Sequence, residues 1–285
     1  MRFDRAIVVD WSSGNDTGPR PRKDAIWLGQ STAGSDADPL YLRNRLLAED
    51  ALHVRIDAAL AARERLLIGF DFPFAYPAGF SRALTGQDDP FAVWHWFALH
   101  LEDTSKRNSR FHLAGAINRS FPGVGPFWFN GLRTDIPGLP RCDLREGHGM
   151  TERRRCDSLA KGSFTCWQMG GAGAVGGQVM TGLPVLHRLR RRYTGKLATW
   201  PFDAPEVVAA APVVLVEIWP SLLNAAVREA MAGGGIKDAH QVRLTARALA
   251  RLTPDQLRAM MDVEAPEEGW ILGLGQEAAL VVAAS

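Results

Sequence analysis

The chain has 285 residues, 46% hydrophobic and 22% charged, with a formal net charge of +2. This is the composition of an ordinary globular protein, of a length that suits one core with a large insertion or two domains, and it has no apolar run of the ~18 residues that a membrane span requires. The opening Arg2, Asp4 and Arg5 argue against a signal peptide, and three cysteines at irregular spacing (Cys142, Cys156, Cys166) fit a reducing cytoplasm better than a disulfide framework.

Residues 6–10, Ala-Ile-Val-Val-Asp, read as a buried strand that stops at one carboxylate, Asp10. Ligands in open α/β sheets bind beyond the carboxyl ends of strands, so such an acid points into a crevice. Ser12 to Pro19 is turn or loop by composition and residues 25–29 are a return strand, which predicts an N-terminal hairpin with a mobile tip. The spacing of Leu46, Leu52, Ile56, Ala59 and Leu60 predicts an amphipathic helix within residues 42–65. Residues 66–70 then form a second apolar run, ending at Asp71 and closed by Pro73.

Residues 74–204 lose this regularity and read as an insertion or cap. Phe91, Trp94, His95, Trp96 and Phe97 predict a helix with an aromatic core face, and residues 121–140 read as loop. From Arg141 to Lys196 there are eleven Lys/Arg against four Asp/Glu, leaving the remainder net negative. A basic block beside an acidic pocket suits a polyanionic substrate, and a solvated arginine-rich surface has the same composition.

The sheet resumes at residues 213–217, Val-Val-Leu-Val-Glu, a third run ending in an acid, Glu217. Ser221 is a plausible N-cap for a helix to Met231, and a further helix opens with Asp238. An acid in a first turn is favoured by the helix dipole whether or not it has a function. A last helix covers residues 254–261, and Trp270 to Leu272 resemble a short strand.

Asp10, Asp71, Glu217 and Asp238 are the leading set, because hard divalent cations take carboxylate oxygens and can activate water at a phosphodiester. Each of these acids would equally cap a turn or helix. Gly171, Gly173 and Gly176 form a Gly-x-Gly-x-x-Gly pattern, but no good strand precedes it and arginines stand where a dinucleotide site needs an acid. Gly173 and Gly176 could instead offer backbone N–H groups to a substrate phosphate, with Arg153, Arg154 and Arg155 as cations, or the segment could be a close-packed turn. Cys142, His148, Cys156 and Cys166 lack the paired spacing of a zinc site. His240, two residues past Asp238, is a possible proton carrier.

The order of strand-Asp-Trp-Ser, hairpin, helix, Gly-Phe-Asp-Phe-Pro, insertion, Val-Glu-Ile-Trp-Pro-Ser and a helix opening with Asp-Ala resembles the ribonuclease H-like superfamily. Within it the chain is most similar to the group of predicted nucleases called domain of unknown function 429. The resemblance covers residues 3–73 and 213–252 and implies an α/β fold: a mixed five-stranded sheet with helices on both faces and an acidic metal site. The loss of regularity after Pro73 divides the chain into a core of residues 1–73 and 205–285 around the 74–204 insertion. Asp10 would be the first-strand ligand, Asp71 the acid after the first helix, Glu217 the acid of the following strand and Asp238 that of the closing helix. The chain departs from the pattern at Lys237, where paired acids often occur. Ser12 and Ser13 resemble the phosphate-contacting turn of sugar-kinase relatives of the same fold.

The expectation is a cytoplasmic, Mg²⁺- or Mn²⁺-dependent phosphodiester hydrolase acting on nucleic acid or a nucleotide, with no membrane partner. Two alternatives stand beside it. One is a nucleotide-binding phosphotransferase or a step of nucleotide-cofactor synthesis such as molybdopterin dinucleotide assembly; the other is a non-catalytic binding module on a degenerate nuclease fold.

Overall fold

A computed structural model describes residues 1–285 and shows an α/β protein whose backbone divides into two units. The first comprises Met1–Asp71, Leu189–Pro266 and Trp270–Ser285, and the second Phe72–Arg188 and Glu267–Gly269. No helix is long and apolar enough to cross a membrane.

In the first unit, β1 (Arg5–Asp10), β2 (Ile26–Thr32) and β3 (Leu40–Leu42) form an antiparallel meander. Helix α1 (Arg45–Ala62) follows, its first turn closed by Asn44, whose side chain accepts the Leu47 N–H at 3.0 Å. Strand β4 (Leu66–Phe70) then pairs in parallel with β1. The expected mobile tip between β1 and β2 is instead tied down. Asp16 accepts the Gly18 N–H and the Asn44 amide, Thr17 meets Tyr41, and Arg45 donates to the Ser12 and Gly14 carbonyls.

The second unit holds α2 (Phe80–Thr85), α3 (Pro90–His100), α4 (Arg110–Asn118), α5 (Arg155–Leu159) and most of α6 (Gly176–Arg192). Its core is aromatic. Tyr76 stacks on Trp167 with ring centroids 4.9 Å apart, Phe80 and Phe127 pack edge-on against Trp167, and Trp94 of α3 is fully buried. The aromatic stripe expected for residues 91–97 is therefore core: Val93, Trp94 and Phe97 face inward.

The chain returns to the sheet of the first unit with β5 (Leu197–Thr199), α7 (Pro205–Ala210) and β6 (Val213–Glu217). A short 3₁₀ turn at Pro220–Leu223 precedes α8 (Asn224–Met231), so Ser221 lies inside that turn and caps nothing. Helices α9 (Lys237–Arg251), α10 (Pro254–Met261) and α11 (Glu277–Ala284) complete the chain. The sheet has six strands in the order β3-β2-β1-β4-β6-β5, with β1, β4, β6 and β5 parallel, where the resemblance implies five. The short edge strands β3 and β5 are too brief to show alternation in the sequence. The central strands are buried on both faces, as parallel strands must be: Ala6–Val9, Leu66–Ile68 and Val213–Val216 are 0% exposed. Residues 270–272 contribute only one bridge, Ile271 to Glu217, rather than a strand.

Candidate functional site

Parallel pairing of β1 with β4 sets Val9 opposite Phe70, so the next residues, Asp10 and Asp71, emerge side by side at the carboxyl end of the sheet. Side chains alternate along a strand, so Asp10, Val8, Gly29 and Asp71 all belong to one face of the sheet. Helix α9 lies on that face. It comes close because residue 29 is glycine: a Cβ there would stand 2.3 Å from the Val242 carbonyl oxygen. Its apolar stripe of Val242, Ala246 and Leu249 is buried, and its first turn carries Asp238.

Three carboxylates from β1, β4 and α9 are thus brought to one face by the register of two strands and the docking of one helix, near enough for the Asp238 charge to act on Asp10 and Asp71. Asp10 and Asp71 are hydrogen-bonded to each other, and Asp71 Oδ1 also accepts the Trp11 N–H at 2.7 Å. Both acids keep some access to solvent yet are crowded by protein. Burial, then the charge of Asp71 and the hydrogen bond to it, hold the Asp10 carboxyl well above the usual range, and Asp238 and Asp24 add to this. Burial pushes Asp71 up to about 6 against the hydrogen bonds from Asp10 and Trp11 N–H. Burial also raises Asp238, opposed by the Asp24 N–H and Lys237. The two carboxyls therefore titrate as a pair, with ionisation displaced upward chiefly by burial and further by their mutual repulsion.

Asp24 is a member of this site that the sequence reading missed. Its N–H donates to Asp238 Oδ2 at 2.7 Å, its carbonyl accepts the Ser12 hydroxyl at 3.1 Å, and its backbone is left-handed with φ 57°. Asp tolerates that conformation better than most residues, and an Asp just before a strand in a polar turn was the available signal.

Glu217 does not join the cluster. It pairs with Phe70, one residue short of Asp71, so the period-two alternation sends it to the opposite face, and Ile218 takes the place beside Asp71. His240 is also committed elsewhere: one ring nitrogen meets the Gly234 carbonyl at 2.8 Å and the other the Arg243 guanidinium at 3.1 Å. The Ser12 hydroxyl is held by Asp24 and by the Gly14 N–H, and Ser13 sits in the same turn.

The proposed phosphate ligands 153–155, 173 and 176 lie in the second unit. Arg154 is 0% exposed, forks onto Asp157 with two contacts of 2.9 Å and reaches the Glu268 carbonyl, so it has no surface to offer a phosphate. Arg153 binds the Ser163 carbonyl at 2.9 Å, and the Arg155 N–H binds Glu268 Oε2. The Gly176 N–H is spent on the Gln168 carbonyl, while Gly173 packs so close to Phe164 that a Cβ would overlap its ring. These glycines serve close packing. A cleft of about 900 Å³ lined by Trp200, Phe202, Val208 and Met261 contains none of the acids.

The donor set of Asp10, Asp71 and Asp238 is all carboxylate oxygen, which suits Mg²⁺ or Mn²⁺. As they stand, no three His, Cys, Asp or Glu side chains are arranged to enclose an ion. Closely spaced, crowded carboxylates whose ionisation is disfavoured by burial and by one another are nevertheless a fit for a cation, since positive charge would offset both effects. No family model, curated protein or solved structure matches the chain.

Proposed function

We propose that the chain is a metal-dependent phosphodiester hydrolase of the ribonuclease H-like kind, acting on nucleic acid or a nucleotide. One observation carries the reading: Asp10 and Asp71 stand in register at the ends of neighbouring parallel strands, on the face where α9 delivers Asp238. The mixed sheet, opening with an antiparallel hairpin and continuing in parallel through β4, supports the resemblance.

In this reading Asp10 and Asp71 hold Mg²⁺ or Mn²⁺, and Asp238 completes the carboxylate set. The ion, when bound, supplies Lewis acidity and a water of lowered pKa. The residues of the chain do the positioning. Trp11 N–H fixes the orientation of Asp71, Asp24 N–H fixes that of Asp238, and Lys237 offsets part of the negative charge. Arg20, Arg22 and Lys23, all exposed on the loop that ends at Asp24, would meet substrate phosphates in place of the buried Arg154.

The test is cleavage of labelled single- and double-stranded DNA and RNA with Mn²⁺, with EDTA and an Asp10→Asn/Asp71→Asn variant as controls. Metal-dependent cleavage that the variant lacks is the expected result. A folded protein that cleaves none of the substrates would overturn the nuclease reading in favour of a small-nucleotide or binding role.

A further inference from the structure

In the second unit, α3 and α6 bring two imidazoles together. His95 Nδ1 lies 3.3 Å from His187 Nε2, with ring centroids 5.0 Å apart and planes inclined by 46°. His95 is exposed and His187 half-buried, on helices anchored by the buried Trp94 and Phe97 of α3 and Val185 and Leu186 of α6. The two nitrogens are hydrogen-bonded, at the long end of the range for an N–H donor. Their separation is also that of two ligands on one ion, because nitrogens ~2.0–2.1 Å from a tetrahedral centre stand about 3.3 Å apart.

We propose that His95 and His187 form a bis-imidazole site for a borderline transition-metal ion, Zn²⁺, Ni²⁺ or Cu²⁺. Imidazole selects these ions, whereas the carboxylates of the first unit favour Mg²⁺ or Mn²⁺, so the two sites differ in chemistry. No third His, Cys, Asp or Glu is arranged with the pair, so the two imidazoles would be the ion's ligands from these residue types. His95 also lines a cleft of about 480 Å³ with Gln87, Asp89 and Trp96, which leaves room for a small ligand. An ion held there ties α3 to α6 and stabilises the second unit by linkage. The one proton of the hydrogen bond between the facing nitrogens must leave to let both lone pairs reach the ion, with each neutral ring then carrying its proton on the other nitrogen.

The experiment is calorimetric titration of the full chain with Zn²⁺ in excess Mg²⁺, which saturates the carboxylate site. One equivalent of Zn²⁺ should bind and raise the melting temperature. His95→Gln and His187→Gln, with unchanged circular dichroism, should each weaken that binding at least tenfold. Titration with Cu²⁺ should give an electron paramagnetic resonance spectrum split by two nitrogens in the wild type and by fewer in either variant. Zn²⁺ binding that is absent, or that survives in either variant, would overturn the proposal, as would a Cu²⁺ spectrum without two coupled nitrogens.

Discussion

Asp10 and Asp71 close neighbouring parallel strands in register, and their carboxyl groups are hydrogen-bonded to each other. Both fold-state pKa values lie above the ordinary 3.8, that of Asp71 at about 6 and that of Asp10 well above its usual range. The fold thus favours the neutral forms. The pair's contribution to stability is fully present below about pH 4, shrinks as pH rises through about 6, and shrinks further as Asp10 ionises. Asp10→Asn removes the second ionisation. Urea unfolding at pH 8 should find the variant more stable than wild type by about 1–3 kcal/mol, with a flatter pH profile above 6.

Opposite faces of the sheet separate Glu217 from the acids it resembles in sequence. Glu217→Gln should leave Mn²⁺ affinity within twofold of wild type, whereas Asp71→Asn should lower it at least tenfold. Calorimetry on the two variants checks this, and equal losses would place Glu217 in the site after all.

Gly29 sets the approach of α9 to the sheet. Gly29→Ala puts a methyl group 2.3 Å from the Val242 carbonyl oxygen, and the helix must shift to admit it. Overpacking of this kind costs about 1–3 kcal/mol and should appear in chemical denaturation. Because Asp238 rides on the same helix, the variant should also lose Mn²⁺ affinity, which a purely local defect would leave intact.

Arg154 is a buried partner of Asp157 and not a surface cation. Arg154→Ala leaves the Asp157 charge uncompensated and should cost about 3–5 kcal/mol in urea unfolding. Binding of a labelled oligonucleotide by the folded variant should keep its salt dependence, since no phosphate contact has been removed.

The three acid-terminated runs were legible in the sequence because buried strands are apolar throughout and a carboxylate at their end is conspicuous. What the sequence could not give was register. Glu217 differs from Asp71 by a single step of pairing with Phe70, and that step decides the face. Strands β3 and β5 were missed because three residues show no alternation, and β5 sat inside the segment read as an insertion. The arginines 153–155 looked like a surface run because sequence does not disclose that Asp157 and Glu268 enclose the middle one. Asp24 escaped notice because it acts on Asp238 through its backbone N–H, which every residue but proline has.

The central claim is that a divalent cation takes the place of the proton between Asp10 and Asp71. It is tested most directly by titrating the protein with Mn²⁺ at pH 7 in buffers of different ionisation enthalpy, which counts the protons released on binding. The account predicts one bound ion, release of about one proton, and loss of both in Asp10→Asn/Asp71→Asn. Absence of binding, or binding without proton release that persists in the variant, would contradict it.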